Sequence, residues 1–204
     1  AYAPKGMSCF LVPRVLPDGT RNSLRFMRLK DKLGNRSNAS AELEFDNTLA
    51  WIVGEEGRGV PTIIDMVHAT RLDVANWGVS LMRQAVSQAG WHVANRDAFG
   101  STLIDKPLMQ NVLADLEIEV EAATMMITRL SGAHERMEID EHERAFARLA
   151  TPIAKYWLTK QSNPVVRESL ECVGGNGYVE DSIMPRLYRE APLNAIWEGA
   201  GNVI

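Results

Sequence analysis

At Gly57 the hydrophobic pattern of the chain changes period, and the two halves that result cannot share one architecture. After Gly57, apolar residues recur every three or four positions. Residues 61 to 96 carry Ile63, Val67, Val74, Leu81 and Ala85, with a neighbouring row of Ala75, Met82, Val86 and Val93, the broad stripe of a helix that lines a bundle interior. Met109, Val112, Leu116, Val120, Ala123, Ile127 and Leu130 repeat the pattern more cleanly, with Pro107 in the first turn and Asp105 as a candidate cap. A third helical run over about 141 to 173 has Phe146, Leu149, Ile153 and Trp157 in register, while Pro152 and Pro164 are expected to kink or interrupt it and Gly174-Gly175 to end it. A short helix near Met184 to Glu190 and the start of another after Glu198 complete the helical half.

Residues 1 to 54 read differently. Met7 to Pro13, Ser23 to Lys30 and Ser40 to Phe45 are short strand-like runs, separated by turn chemistry at Asp18-Gly19 and Gly34-Asn35. Three strands cannot close a sandwich, so this segment reads as part of a larger sheet. The fold class is therefore mostly α: a helical bundle over 55–204, preceded over 1–54 by a few strands of an incomplete β-domain. The chain opens without Met and stops at Ile204, so both ends read as cut.

A chain of 204 residues suffices for one good core or for one domain and part of another. The net charge of -4 gives no global reason to expect nucleic acid. Two cysteines, Cys9 and Cys172, make neither a disulfide framework nor a metal spacing, which fits a reducing compartment. No apolar run has the length of a membrane span and the N-terminus has no signal-peptide pattern, so the reading is a cytoplasmic protein with no membrane partner.

Three short motifs carry chemistry. Trp197-Glu198-Gly199 sets a carboxylate between an aromatic residue and a glycine; apolar surroundings would raise its pKa toward the range of a useful general base. Gly174-Gly175-Asn176-Gly177 can let a backbone approach a ligand closely, or can be a helix cap and turn. Arg96 and Phe99 can offer a guanidinium to a phosphate and a face to a flat ring, or can be a solvated arginine before a glycine stop. In isolation the plainer alternative is favoured for Arg96 and Phe99 and for Glu198, as a surface carboxylate near a helix start, while the glycine turn is left evenly open. His134 and His142, on charged segments, are read as solvated rather than as metal ligands, so no metal is expected. Trp51, Trp77, Trp91 and Trp157 are read as core or interface residues.

The order of the motifs is more specific than any one of them. Lys32-Leu33-Gly34-Asn35-Arg36, Gly54-Glu55-Glu56-Gly57-Arg58-Gly59, Thr70-Arg71, Arg96-x-x-Phe99-Gly100, Val173-Gly174-Gly175-Asn176-Gly177-Tyr178, Tyr188-Arg189-Glu190 and Trp197-Glu198-Gly199 together resemble the C-terminal half of the acyl-CoA dehydrogenase family. The segments Leu29 to Ser40 and Pro185 to Glu190 look closest to its alkylation-response, AidB-like subgroup.

That resemblance implies FAD as cofactor, an acyl-CoA substrate, and a homodimer or homotetramer with FAD held between subunits. It matches Glu198 to the catalytic base. Arg71 matches the arginine beside the active site, Thr70 stands where a minority of members carry an alternative glutamate, and His68, near the acyl-CoA channel, is read first as a core or surface histidine and otherwise as a pantetheine contact. Arg96, Phe99 and Leu103 match residues near the neighbouring subunit's FAD, and Glu171, Cys172 and Gly175 the segment lining its ADP part. Ala200 and Asn202 replace the threonine and glutamine that touch the flavin in many members; Pro107 and Glu171 stand where glutamine is common. The family's N-terminal helical domain and the first part of its β-domain have no counterpart here, so this segment alone is expected to be a poor enzyme. Two functions from other classes stand beside the dehydrogenase: a stress-response flavoprotein that binds DNA and dehydrogenates little, and a structural bundle without cofactor. An electron-accepting flavoprotein partner is implied only for the first.

Overall fold

The computed structural model describes residues 6–203. They form a mostly helical protein with short strands, in two compact units that divide between Ala69 and Thr70. In the first unit, β1 (Cys9–Leu11) pairs antiparallel with β4 (Trp51–Val53), and β2 (Leu24–Leu29) with β3 (Ala41–Phe45). The strand at Trp51 was not expected from the sequence.

The β2–β3 ribbon sorts its side chains by alternation. Leu24 opposes Phe45 and Phe26 opposes Leu43, whereas Arg25 opposes Glu44 and Arg28 opposes Glu42. Directly opposed pairs of this kind are what stabilise a ladder. Yet Phe26, Leu43 and Phe45 are all exposed. Two-stranded ribbons are marginal alone, and this apolar face fits the expectation of strands belonging to a larger sheet. Asn22 is the buried polar centre of the unit: its Nδ2 donates to the Pro13 and Leu49 carbonyls, and its Oδ1 accepts from the Leu49 and Ser23 amides.

Helix α1 (Gly59–Asn95) carries the division within it and supplies the first wall of the bundle. A hairpin of β5 (Asp97–Ala98) and β6 (Ser101–Thr102) and a 3-10 turn (Leu103–Asp105) lead to α2 (Pro107–Arg136). Pro107 occupies the first turn as expected, but the cap position is Lys106 and not Asp105, which belongs to the 3-10 turn. Helix α3 (Glu141–Val173) packs against α2 and against α5 (Met184–Asn194), with the single turn α4 (Gly175–Tyr178) between α3 and α5. The core joins Ala75, Met82, Val86 and Val93 of α1 to Leu116, Val120, Ile127 and Leu130 of α2 and to Leu158 and Val165 of α3. The stripes read for α1 and α2 thus face the core from Val74 onward, with Leu81, Met109 and Val112 half-buried at its margin.

The register expected for α3 is corrected. Leu149, Ile153 and Trp157 are 67%, 53% and 52% exposed, and the buried face is Ala147, Thr151, Ala154, Lys155, Leu158, Thr159, Ser162, Val165, Val166, Ser169 and Cys172. Side-chain size decided this, more than hydrophobicity. A Cβ built on Gly78 of α1 would lie 3.2 Å from the Leu158 carbonyl oxygen, so the two helices approach closely enough that small residues are required between them. The hydroxyls on that face are satisfied inside their own helix: Thr151 donates to the Ala147 carbonyl, Thr159 to Lys155 and Ser169 to Val165. Neither proline interrupts α3. The carbonyls they leave without an intrahelical partner, those of Arg148 and Lys160, belong to residues with solvent access. None of Trp51, Trp77, Trp91 and Trp157 is buried in this chain, so none is a core residue of it.

The α2–α3 corner is held by charge. Asp140 caps α3 by accepting from the His142 and Glu143 amides, and the half-exposed Arg129 donates to both oxygens of Glu143 at 2.8 and 3.0 Å. The Arg129 guanidinium holds the Glu143 carboxyl below its ordinary value of 4.5. A depressed carboxyl contributes stability above its unfolded value, lost as pH falls through the lower folded value. Glu143→Gln should therefore lower the denaturant midpoint at pH 7, with the difference from wild type shrinking below pH 4.5; denaturant titrations over that range check it. His134 bonds through Nε2 to Thr151 Oγ1 at 2.8 Å, and no cluster of metal-ligating side chains occurs among the described residues.

Candidate active site

The turn after α5 gathers one group of the expected site residues. No helix starts after Glu198: Ala195 to Val203 is a series of turns. The reason is local, since Glu198 (φ 58°) and Gly199 (φ 92°) are both left-handed, and a non-glycine residue is costly there. What holds Glu198 in that conformation is a set of contacts from α1 and α3. Thr70 Oγ1 donates to Glu198 Oε2 at 2.8 Å, and Arg71 Nε donates to the Glu198 carbonyl at 3.0 Å. Lys155 Nζ donates to the Gly199 carbonyl. Trp197 stacks at 5.3 Å, tilted by 49°, on Trp77, and its indole N–H donates to buried Asn194. Asn202 accepts from Lys160, and Ala200 is half-buried beside it. Glu198 is itself half-buried.

Lys155 is the residue that sequence reading missed. It is fully buried, and burial first, then the Arg71 charge, lower its pKa, while Glu198 opposes them. A usable signal existed: Thr151, Lys155, Thr159 and Ser162 recur at helical spacing on α3, a polar row that would be wasted on a solvated face. His68 lies beyond the division, in the first unit, and is half-buried.

The second group is elsewhere. Phe99 and Gly100 form a two-residue hairpin turn with φ of 54° and 82°, the primed type whose twist matches the flanking strands. Glycine suits this position and phenylalanine does not, yet Phe99 sits there 93% exposed. The Arg96 carbonyl accepts from the Leu103 amide, closing the base of the hairpin, and Lys106 donates to the Phe99 carbonyl. Arg96 is exposed and Leu103 packs on the core.

Helices α1 and α3 run in the same direction, since Gly78 lies against Leu158 and Thr159, and Ala85 shares a cluster with Val166. The end of α3 therefore lies toward the Arg96 end of the bundle. There Gly174 (φ 67°, ψ -147°) ends the helix in a conformation only glycine adopts readily, and Gly175 has open space where a Cβ would stand. Glu171 is exposed and paired with Arg167 at 3.1 Å. Cys172 faces inward: its thiol is part of the core, pushed up to about 11 by burial and then by Glu168 and Glu171. Any ligand contact at Cys172 is thus through its backbone. Alkylation of the native protein at pH 8 should modify half-buried Cys9 and spare Cys172 until unfolding, as peptide mass mapping would show.

The expected residues thus split into two clusters. At about 1.5 Å per residue, α1 runs roughly 36 Å from Arg71 to its last residue, Asn95, which Arg96 follows. Thr70, Arg71, Ala200 and Asn202 are brought to Glu198; Arg96, Phe99, Leu103, Glu171 and Gly175 are not.

A helical bundle in which α1 and α3 run the same way, with a carboxylate pinned in a left-handed turn on them and a glycine turn after α3, is the class of domain the fold defines. Residues 57–204 match the family model "Acyl-CoA dehydrogenase, C-terminal domain", and the chain belongs to the acyl-CoA dehydrogenase family. It is 49% identical over 204 residues to AidB of Escherichia coli (strain K12), covering all of this chain and 38% of that protein. It is 36% identical over 203 residues to acyl-CoA dehydrogenase family member 11 of Caenorhabditis elegans, covering 98% of this chain and 33% of that one. The crystal structure of Caenorhabditis elegans ACDH-11 in complex with C11-CoA superposes with a TM-score of 0.91 at 35% identity, covering 97% of this chain and 34% of that one. The chain thus spans between 33% and 38% of the length of these relatives.

Proposed function

We propose that this chain is the C-terminal segment of a FAD-dependent acyl-CoA dehydrogenase, with Glu198 as the base that removes the α-proton of an acyl-CoA thioester. The observation that carries the reading is the pinned turn: a left-handed glutamate held through its own carboxylate by Thr70 and through its backbone by Arg71. Strain kept in place by surrounding contacts marks positions where geometry matters more than stability. The Thr70 hydroxyl occupies Oε2 and fixes the rotation of the carboxylate, which leaves Oε1 to take the proton. An α-proton leaves readily only if the thioester carbonyl is polarised, and the groups that polarise it must be preorganised around the base.

The residues of the second cluster suit a dinucleotide. Exposed Arg96 offers a guanidinium to a pyrophosphate, Phe99 offers a flat face, and the open backbone at Gly175 allows close approach. When bound, FAD supplies the acceptor for the β-hydride. Because roughly 36 Å of α1 separates Arg71 from the end of the helix before Arg96, each flavin would take Arg96, Phe99 and Leu103 from one subunit and the Glu198 turn from another. A homodimer or homotetramer follows, and the exposed row Leu149, Ile153 and Trp157 gives the bundle apolar surface for it. We place the boundary of the helical domain after Gly54, close to where the family match begins, and the protein in the cytoplasm; no helix among the described residues is long and apolar enough to cross a membrane.

Purified full-length protein is expected to be yellow and to be bleached anaerobically by an acyl-CoA; a colourless protein overturns the reading in favour of a structural bundle. The resemblance of Leu29 to Ser40 and Pro185 to Glu190 to the AidB-like subgroup implies a second reading, a stress-response flavoprotein that binds DNA and dehydrogenates little. DNA binding whose affinity falls steeply with salt, in a protein that acyl-CoA does not bleach, selects that reading instead.

A further inference from the structure

Lys155 has no role in the chemistry above, and its position is expensive. A fully buried ammonium gives up its hydration, and a well-packed apolar side chain of similar volume would often be as stable or more so. Its Nζ reaches the Gly199 carbonyl at 2.5 Å, one residue past the Arg71 bond to the Glu198 carbonyl. Two successive carbonyls of a left-handed pair are therefore each held by a cation, one from α1 and one from α3. Beyond them, the Gly201 amide donates to the Ala195 carbonyl, and a Cβ on Gly201 would come within 3.1 Å of the Tyr156 ring, the side chain next to Lys155. The turn is fastened to α3 at Lys155 and Lys160 and to α1 at Thr70 and Arg71.

We propose that Lys155 is a positioning residue for the carboxylate of Glu198: it clamps the Gly199 carbonyl and keeps the strained Glu198–Gly199 turn in the one conformation that presents the base. The inference rests on the reading of Glu198 as that base. Helices that pack at Gly78 have no other need of a cation at this depth, and the turn does, because a non-glycine left-handed residue relaxes unless its neighbours hold it.

The test uses the full-length protein with Lys155→Met, close in length and without charge, and Lys155→Gln, which keeps an N–H donor on a shorter stem. In Lys155→Met, amide hydrogen exchange over Ala195–Asn202 should quicken about tenfold or more while α1, α2 and α3 keep their protection. The thermal midpoint should stay or rise, and flavin reduction by acyl-CoA should slow about ten- to hundredfold with the acyl-CoA dissociation constant within about twofold. Lys155→Gln should fall between wild type and Lys155→Met, and it carries the comparison if the methionine variant does not fold. Unchanged exchange over Ala195–Asn202 overturns the proposal, as does exchange that rises equally throughout the bundle, which marks a merely structural lysine. Failure of the base reading is separate: flavin reduction that survives in Glu198→Gln removes the base, whereas the exchange result reports the clamp whichever residue takes the proton.

Discussion

Glu198→Gln in the full-length protein is expected to slow flavin reduction by an acyl-CoA about 10²- to 10⁴-fold, the range that a positioned general base contributes, while the bound flavin keeps its colour. The size of the effect follows from how little else the substitution changes. Glutamine has the shape of glutamate, and its carbonyl oxygen can still accept from Thr70. The bonds from Arg71 and Lys155 end on backbone carbonyls and are indifferent to the side chain. What disappears is the capacity to take a proton. Stopped-flow absorbance under anaerobic conditions measures it, and a rate within a few-fold of wild type would reject Glu198 as the base. Thr70→Val is the useful companion, since it leaves the carboxylate and removes only the hydroxyl that orients it; the loss there should be smaller than in Glu198→Gln.

How legible this site was depended on which interaction made it. The stripes of α1 and α2 could be read from the sequence because large aliphatic residues bury there and the period is regular. The face of α3 could not, because the constraint came from the neighbouring helix: Gly78 brings α1 so close that Ala, Ser and Thr win the interior, and Leu149, Ile153 and Trp157 turn outward. Lys155 was hidden by the same inversion, since a lysine on what looked like the polar face invites no question. The turn at Glu198 was misread as a helix start because nothing in Trp-Glu-Gly announces a left-handed glutamate. Ordered motifs pointed to the residues, but only the fold shows that they form two clusters, one on the Thr70–Arg71 turn of α1 and one beyond its C-terminal end.

Two glycines two residues apart give the other large expected effect, and they should separate stability from ligand binding. A Cβ on Gly177 would stand 2.5 Å from the Leu170 carbonyl oxygen and 3.1 Å from the Val173 Cβ, so α4 cannot fold back on α3 with any side chain at that position. Because the obstacle is backbone, relief requires the turn to move, and Gly177→Ala should cost about 1–3 kcal/mol, the usual cost of overpacking. At about 2–4 °C per kcal/mol for domains of this size, the thermal midpoint should fall roughly 2–12 °C. Gly175 meets nothing within 4 Å and its φ is not left-handed, so Gly175→Ala should leave the midpoint unchanged. If the bare backbone there receives the adenine dinucleotide, the same substitution should weaken flavin binding about tenfold or more, the result of losing about 1.4 kcal/mol of contact. Thermal melts and flavin titrations of the two full-length variants give a two-by-two outcome. Loss of stability at Gly175 would place that glycine in the helix cap alone, and flavin affinity unaffected there would remove the segment from the cofactor site.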